Sequence, residues 1–151
     1  MAEALIALGS NVGDREAHLR FAIEQLGRLG TVRAVSRFHE TAPVGYLDQG
    51  MFLNAALALE TGLTPEELMR ELLRLEKERG RERRVVNGPR TLDLDLLMYG
   101  DEVMDAPGLT LPHPRLHERE FVLAPLAEVA PGKVHPRLKQ TVQELLEVLK
   151  R

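Results

Sequence analysis

The stretch TLDLDLLM at 91–98 places the tightest demand on any fold this chain can adopt. Side chains of a β-strand alternate across its two faces, so Leu92, Leu94 and Leu96 share one face while Asp93 and Asp95 share the other. The leucines require a core. Two positions along a strand span about 6.6 Å, which lets the two carboxylates converge on one or two hard cations that favour oxygen ligands, such as Mg²⁺. The alternative is that both aspartates face water on an amphipathic strand. Asp is depleted in strands, however, and two in register call for a reason. The pattern points to phosphate chemistry.

The rest of the chain supplies elements around that strand. Residues 3–8 form a short, largely buried strand that Gly9 is expected to break. Asp14 then caps a helix with Leu19, Ala22, Ile23 and Leu26 on one face. The intervening GSNVGD loop is open to two readings, a phosphate cradle or a tight turn, and Gly9 and Gly13 fit neither standard phosphate-loop spacing. Residues 31–39 alternate Val32, Ala34, Ser36 and Phe38 against Arg33, Val35 and Arg37, the period of a half-buried strand. The loop TAPVGYLDQG follows, and its Pro43, Gly45 and Gly50 favour backbone groups presented to a ligand.

In a third strand at 52–60, Leu53, Ala55, Leu57 and Leu59 share one face and Phe52 and Asn54 the other. Phe52 and Asn54 suit the plane and the polar edge of a flat heterocycle, or else a core aromatic and a carboxamide that satisfies a loop. Thr64, Pro65 and Glu67 mark the start of the next helix, with Leu68, Leu72 and Leu75 as its buried stripe and Gly80 at its end. Arg81, Arg83, Arg84 and Arg90 crowd the loop that leads into the aspartate strand. They form either a solvated surface or the cationic flank a polyphosphate with bound Mg²⁺ requires. A proline-rich segment then carries His113, Arg115, His117 and Arg119. A helix over 120–130, interrupted by Pro125 and with Phe121 near its start, precedes a last helix capped by Thr141 and Glu144. The order strand, helix, strand, strand, helix, strand is a split βαββαβ plan with a helical extension.

With 151 residues, 44% of them hydrophobic and 28% charged, the chain has the size and composition of one soluble globular domain over 1–151. The lack of cysteine excludes disulfides and thiolate chemistry, leaving carboxylate and imidazole as metal ligands. A net charge of −3 argues against general affinity for nucleic acid, and no apolar run is long enough for a membrane span. The N-terminus lacks the pattern of a signal peptide, so a cytoplasmic protein is expected.

Several stretches together resemble one family. ALGSN at 7–11, ETAPVG at 40–45, FLNAA at 52–56, GRER at 80–83, GPRTLDLDLL at 88–97 and LPHPRLHEREFVLAPLAEVAP at 111–131 are similar to the 6-hydroxymethyl-7,8-dihydropterin pyrophosphokinases of the folate pathway. The resemblance implies an α+β, ferredoxin-like α/β/α sandwich with helices on both faces of an antiparallel sheet. It also implies transfer of the β,γ-pyrophosphoryl group of ATP to the pterin's hydroxymethyl oxygen, with release of AMP. By the same resemblance, Asp93 and Asp95 match the ligands of two Mg²⁺ ions. Thr41, Pro43, Val44, Gly45, Phe52, Asn54 and Phe121 match pterin contacts, with the ring between the two aromatics. Glu76, Arg81, Arg90, His113 and Arg119 match positions near ATP, and Arg83 and Arg84 the basic positions of a catalytic loop. Asn87 stands where some relatives carry tryptophan, and 84–88 is about one residue shorter. The partners implied are the two small substrates alone, bound by a monomer. A noncatalytic ferredoxin-like sensor of small molecules is the competing class, since fold alone decides nothing. Such a sensor has no need of paired strand carboxylates beside an arginine loop.

Overall fold

Strand β1 (Ala2–Ser10) lies inside a five-stranded antiparallel sheet ordered β2-β4-β1-β5, with β2 at Thr31–Val35, β4 at Phe52–Thr61 and β5 at Asp93–Tyr99. A short strand β3 (His39–Thr41) adds to the end of β4. The structure is a computed structural model that describes residues 1–42, 50–80 and 91–151. Gly9 does not end β1. It pairs with Asn54 on one side and Asp93 on the other, and Ser10 pairs with Leu53. Two flanking ladders supply the hydrogen bonds that outweigh glycine's weak strand preference. The turn falls instead at Gly13, whose φ is +73°.

Among the described residues four α-helices cover the sheet: α1 (Arg15–Leu26), α2 (Pro65–Glu78), α3 (Glu120–Val129) and α4 (Val142–Leu149). Their starts follow the sequence. The Asp14 carboxylate accepts from the Ala17 N–H, and Thr64 with Glu67 and Thr141 with Glu144 form complete capping boxes. Leu19, Ala22 and Leu26 of α1 and Leu68, Leu72 and Leu75 of α2 pack on Ile6, Leu8, Leu57, Leu59, Leu94 and Leu96. On the opposite face, Val122, Leu123 and Leu126 of α3 and Val142, Leu145 and Leu146 of α4 pack on Leu5, Ala56, Ala58, Leu97 and Met98. The alternation along β4 thus divides its residues between two cores, as the period of a strand requires.

Three local readings are corrected. The strand expected over 31–39 is two strands with a shift of register between Val32 and Ala34, so Val32 faces the first core and Ala34 the second. Such an extra residue reverses the alternation downstream of it. Pro125 does not interrupt α3, because Val122, Leu123 and Leu126 bury the helix around it and offset the one hydrogen bond its ring removes. The proline-rich stretch also holds an unexpected hairpin, β6 (Met104–Ala106) and β7 (Leu109–Leu111), which turns at Gly108 with φ +76°.

Candidate active site

Beyond Ala56 the second face of the sheet is no longer covered by aliphatic side chains, and there a cavity of about 880 Å³ opens. Its floor comes from three strands. Gly9 and Ala7 of β1 stand opposite Asp93 and Asp95 of β5, and Gly9 also stands opposite Asn54 of β4. Both aspartates, Asn54 and Phe52 line the cavity, so the period of two in LDLDLL and FLNAA sends the leucines into the first core and these four into the cavity. Gly9 has a steric purpose. A Cβ there would lie 3.0 Å from Asn54 Oδ1, close enough to push the carboxamide aside, and 3.8 Å from the Phe52 ring, an ordinary contact.

Asn54 is 7% exposed, and its Nδ2 donates to Thr41 Oγ1 at 2.6 Å. Its carboxamide is therefore oriented before any ligand arrives. The facing wall is the segment from Arg115 to Pro125, which contributes Arg115, Glu118, Arg119 and Phe121. The Arg119 guanidinium lies 5.6 Å from the centroid of the Phe121 ring, within the range of a cation–π contact. The remaining wall is Arg37, Phe38, His39, Glu40 and Thr41.

Two residues expected near ATP stand outside the lining. Glu76 is 3% exposed, and its carboxylate accepts the Leu94 N–H at 2.7 Å. It thereby ties α2 to β5 at the residue between the two aspartates. His113 donates its N–H to the Leu97 carbonyl at 2.8 Å, and its Nδ1 accepts from the Arg115 N–H at 3.2 Å. Burial and the nearby Arg119 push its imidazole below the ordinary pKa, Asp93 pulls it the other way, and Arg115 lowers it further. Of the remaining expected residues, Pro43, Val44, Gly45, Arg81, Arg83, Arg84 and Arg90 lie outside the described residues.

The structure brings together Thr41, Phe52, Asn54, Asp93, Asp95, Arg119 and Phe121 from four separate segments. Arg37, His39, Glu40, Arg115 and Glu118 join the lining without having been singled out as site residues. Only the Pro-His-Pro-Arg spacing hinted at Arg115. Among the described residues no group of three or more His, Cys, Asp or Glu side chains could hold a metal ion. Two carboxylates alone are a donor set that suits Mg²⁺, which retains waters and completes its shell with substrate phosphates.

The pattern of the 7,8-dihydro-6-hydroxymethylpterin-pyrophosphokinase family matches residues 5–131. The chain is 52% identical over 128 residues to the 2-amino-4-hydroxy-6-hydroxymethyldihydropteridine pyrophosphokinase of Bacillus subtilis, covering 83% of this chain and 77% of that one. The Aquifex aeolicus protein of the same name is 40% identical over 144 residues, with 95% and 90% covered. A crystal structure of Plasmodium falciparum HPPK-DHPS with SDX-DHP superposes with a TM-score of 0.74 at 16% identity, a likeness of fold. It covers 98% of this chain but 43% of that longer one, so the chain spans less than half of its solved structural relative. The family match over most of the chain, and identities of 40–52% to enzymes whose length it largely covers, mean that this chain belongs to the 7,8-dihydro-6-hydroxymethylpterin-pyrophosphokinase family.

Proposed function

We propose that the two ends of the cavity divide the substrates, with the pterin ring at Phe52, Asn54 and Phe121 and the triphosphate of MgATP at Asp93, Asp95 and Arg119. The protein catalyses transfer of the pyrophosphoryl group of ATP to 6-hydroxymethyl-7,8-dihydropterin in folate synthesis. In that reaction the hydroxymethyl oxygen forms a bond to the β-phosphorus as the bond from that phosphorus to the α-bridging oxygen breaks. AMP leaves with the bridging oxygen, and the hydroxyl proton is lost to solvent. Catalysis of this kind rests mainly on alignment and charge stabilisation.

Each residue has a separate task. Asn54, with Nδ2 engaged by Thr41, directs its Oδ1 to a donor on the pterin edge, and the Phe52 and Phe121 rings stack on its faces. Thr41, Pro43, Val44 and Gly45 complete the pterin end. Asp93 and Asp95 would hold two Mg²⁺ ions, which when bound neutralise triphosphate charge and polarise the reacting phosphoryl group. Arg81, Arg90 and Arg119 serve ATP directly, Glu76 and His113 support the ATP end from behind the lining, and Arg83 and Arg84 serve the oxygens that gain charge in the transition state. The order β2-β4-β1-β5, with α1 and α2 over one face, supports the ferredoxin-like βαββαβ description. Residues 1–151 act as one pyrophosphokinase domain, monomeric and cytoplasmic. No helix among the described residues is long and apolar enough to cross a membrane.

The observation that carries this reading is the convergence of Asp93 and Asp95 with Asn54, Phe52 and Phe121 in one cavity. A sensor domain has no use for the paired carboxylates. The test is to mix the protein with MgATP and 6-hydroxymethyl-7,8-dihydropterin and follow the nucleotides by phosphorus NMR. AMP is the expected product, and ADP as the only product would show transfer of a single phosphoryl group instead.

A further inference from the structure

The corner between β2 and β3 shows how the pterin end of the cavity is held in shape. Ser36 is the last residue to hold the β4 ladder there: its N–H donates to the Ala56 carbonyl and its Oγ accepts the Ala56 N–H, each at 2.9 Å. Past that point the backbone turns away from β4, and the Arg37 N–H needs another acceptor. Glu128, 91 positions later on α3, supplies it. One Glu128 oxygen, Oε1, accepts the Arg37 N–H at 2.8 Å. The other, Oε2, meets Arg37 Nη2 at 3.1 Å and His39 Nε2 at 2.5 Å. The three contacts hold its carboxyl down at about pKa 2 against the opposing effect of burial.

What this carboxylate joins is the two sides of the ring pocket. Its own helix carries Phe121, and Arg119 immediately precedes that helix. The corner it grips runs directly into β3, where His39 is the register partner of Asn54 and Thr41 accepts the hydrogen bond that orients the Asn54 carboxamide. Arg37 and His39 themselves line the cavity. We infer that Glu128 is a positioning residue for pterin recognition, fixing the distance between the Phe121 wall and the Asn54–Thr41 pair by clamping Arg37 and His39 to α3. The inference rests on the pterin reading of that end of the cavity. It assigns Glu128 no contact with substrate. Neither Arg37 nor His39, the residues it clamps, is placed at the ATP end.

The experiment measures steady-state formation of AMP by the full chain and its variants, with each substrate varied in turn. Glu128→Ala removes all three contacts. It is expected to raise KM for the pterin about tenfold, equal to roughly 1.4 kcal/mol of binding, and to leave KM for MgATP within about twofold. Glu128→Gln keeps an acceptor for the Arg37 N–H and is expected to recover part of the loss. His39→Phe removes one contact while keeping an aromatic ring at that position and reports on the clamp even if Glu128→Ala fails to fold. Its expected effect is a smaller rise in KM for the pterin alone. The inference is overturned if folded variants keep the pterin KM of the unaltered protein, or if both KM values rise together. Absence of AMP with the unaltered protein would instead overturn the functional reading, and the inference with it.

Discussion

Strand β4 has two faces with different fates, and the contrast locates the site. On one face Leu53, Ala55, Leu57 and Leu59 are buried from end to end beneath α1 and α2. On the other, Ala56 and Ala58 are buried under α3 and α4, but Asn54 and Phe52 open onto the cavity. The same strand in the same register thus has one face devoted to stability and another shared between stability and binding. The second face can serve both because α3 covers only part of it, and at the point where its aliphatic side chains stop, backbone and polar side chains become available to a ligand. Damage to the leucine face should therefore register as lost stability, and damage to the open face as lost activity.

The largest effect expected on the open face is that of Asp95→Ala. Removing half of the carboxylate pair proposed to hold the metal should lower kcat on the order of a thousandfold, about 4 kcal/mol at 1.4 kcal/mol per decade. Its unfolding curve should stay close to that of the unaltered protein. Near-normal turnover at saturating Mg²⁺ would return the aspartates to an ordinary solvated face. On the leucine face, Leu57→Ala should cost about 2–5 kcal/mol of stability through lost burial and the cavity left behind. Leu57 is 0% exposed. Denaturant unfolding measures the loss, and the pterin KM of the folded fraction should not move. A changed pterin KM with unchanged stability would erase the distinction between the faces.

Gly9→Ala sharpens the comparison at the boundary. The added methyl would lie 3.0 Å from Asn54 Oδ1, so the carboxamide must shift and pterin binding should weaken by about 1–3 kcal/mol, as it should for Asn54→Ala. Titration calorimetry with each ligand decides the matter, since equal losses for pterin and ATP would make both residues structural. Thr64→Ala, remote from the cavity, removes an acceptor for the Glu67 N–H. It should lower stability by about 1 kcal/mol with KM values intact.

The smallest expected effect is a pH dependence from Glu128. Because its folded pKa is depressed from 4.5 to about 2, its contribution to stability is present above the ordinary carboxylate range and is lost as pH falls from about 4.5 toward 2. The side chain is 25% exposed, so solvent screening keeps the contribution modest. Comparing Tm with that of Glu128→Gln across this window should show the two curves converging as the pH falls. Parallel curves would mean the carboxylate charge contributes nothing.

Much of the fold was legible because it is local. The capping residues Thr64 and Glu67, the Leu68, Leu72 and Leu75 stripe, and the alternation in β4 and β5 depend on neighbours within a few positions. The aspartates and Asn54 could be assigned to particular strand faces on the same ground. The reading failed where a residue's partner lies far along the chain. Gly9 looked like a strand breaker, and its role appears only with Asn54 packed against it from another strand. Val32 and Ala34 share a face by simple alternation, but pairing with β4 inserts a bulge between them.

Arg37 and His39 carried no motif at all, and they become part of the cavity through a carboxylate 91 and 89 positions away. By itself the sequence determined the chemistry available, namely two carboxylates on one strand face, an aromatic and a carboxamide on one face of another strand, and cations nearby. Tertiary structure alone decided which of these share a cavity, how far apart its walls stand and which polar groups hold them. Periodicity is a property of neighbouring residues, whereas the closing of a site depends on contacts between segments that no local pattern records.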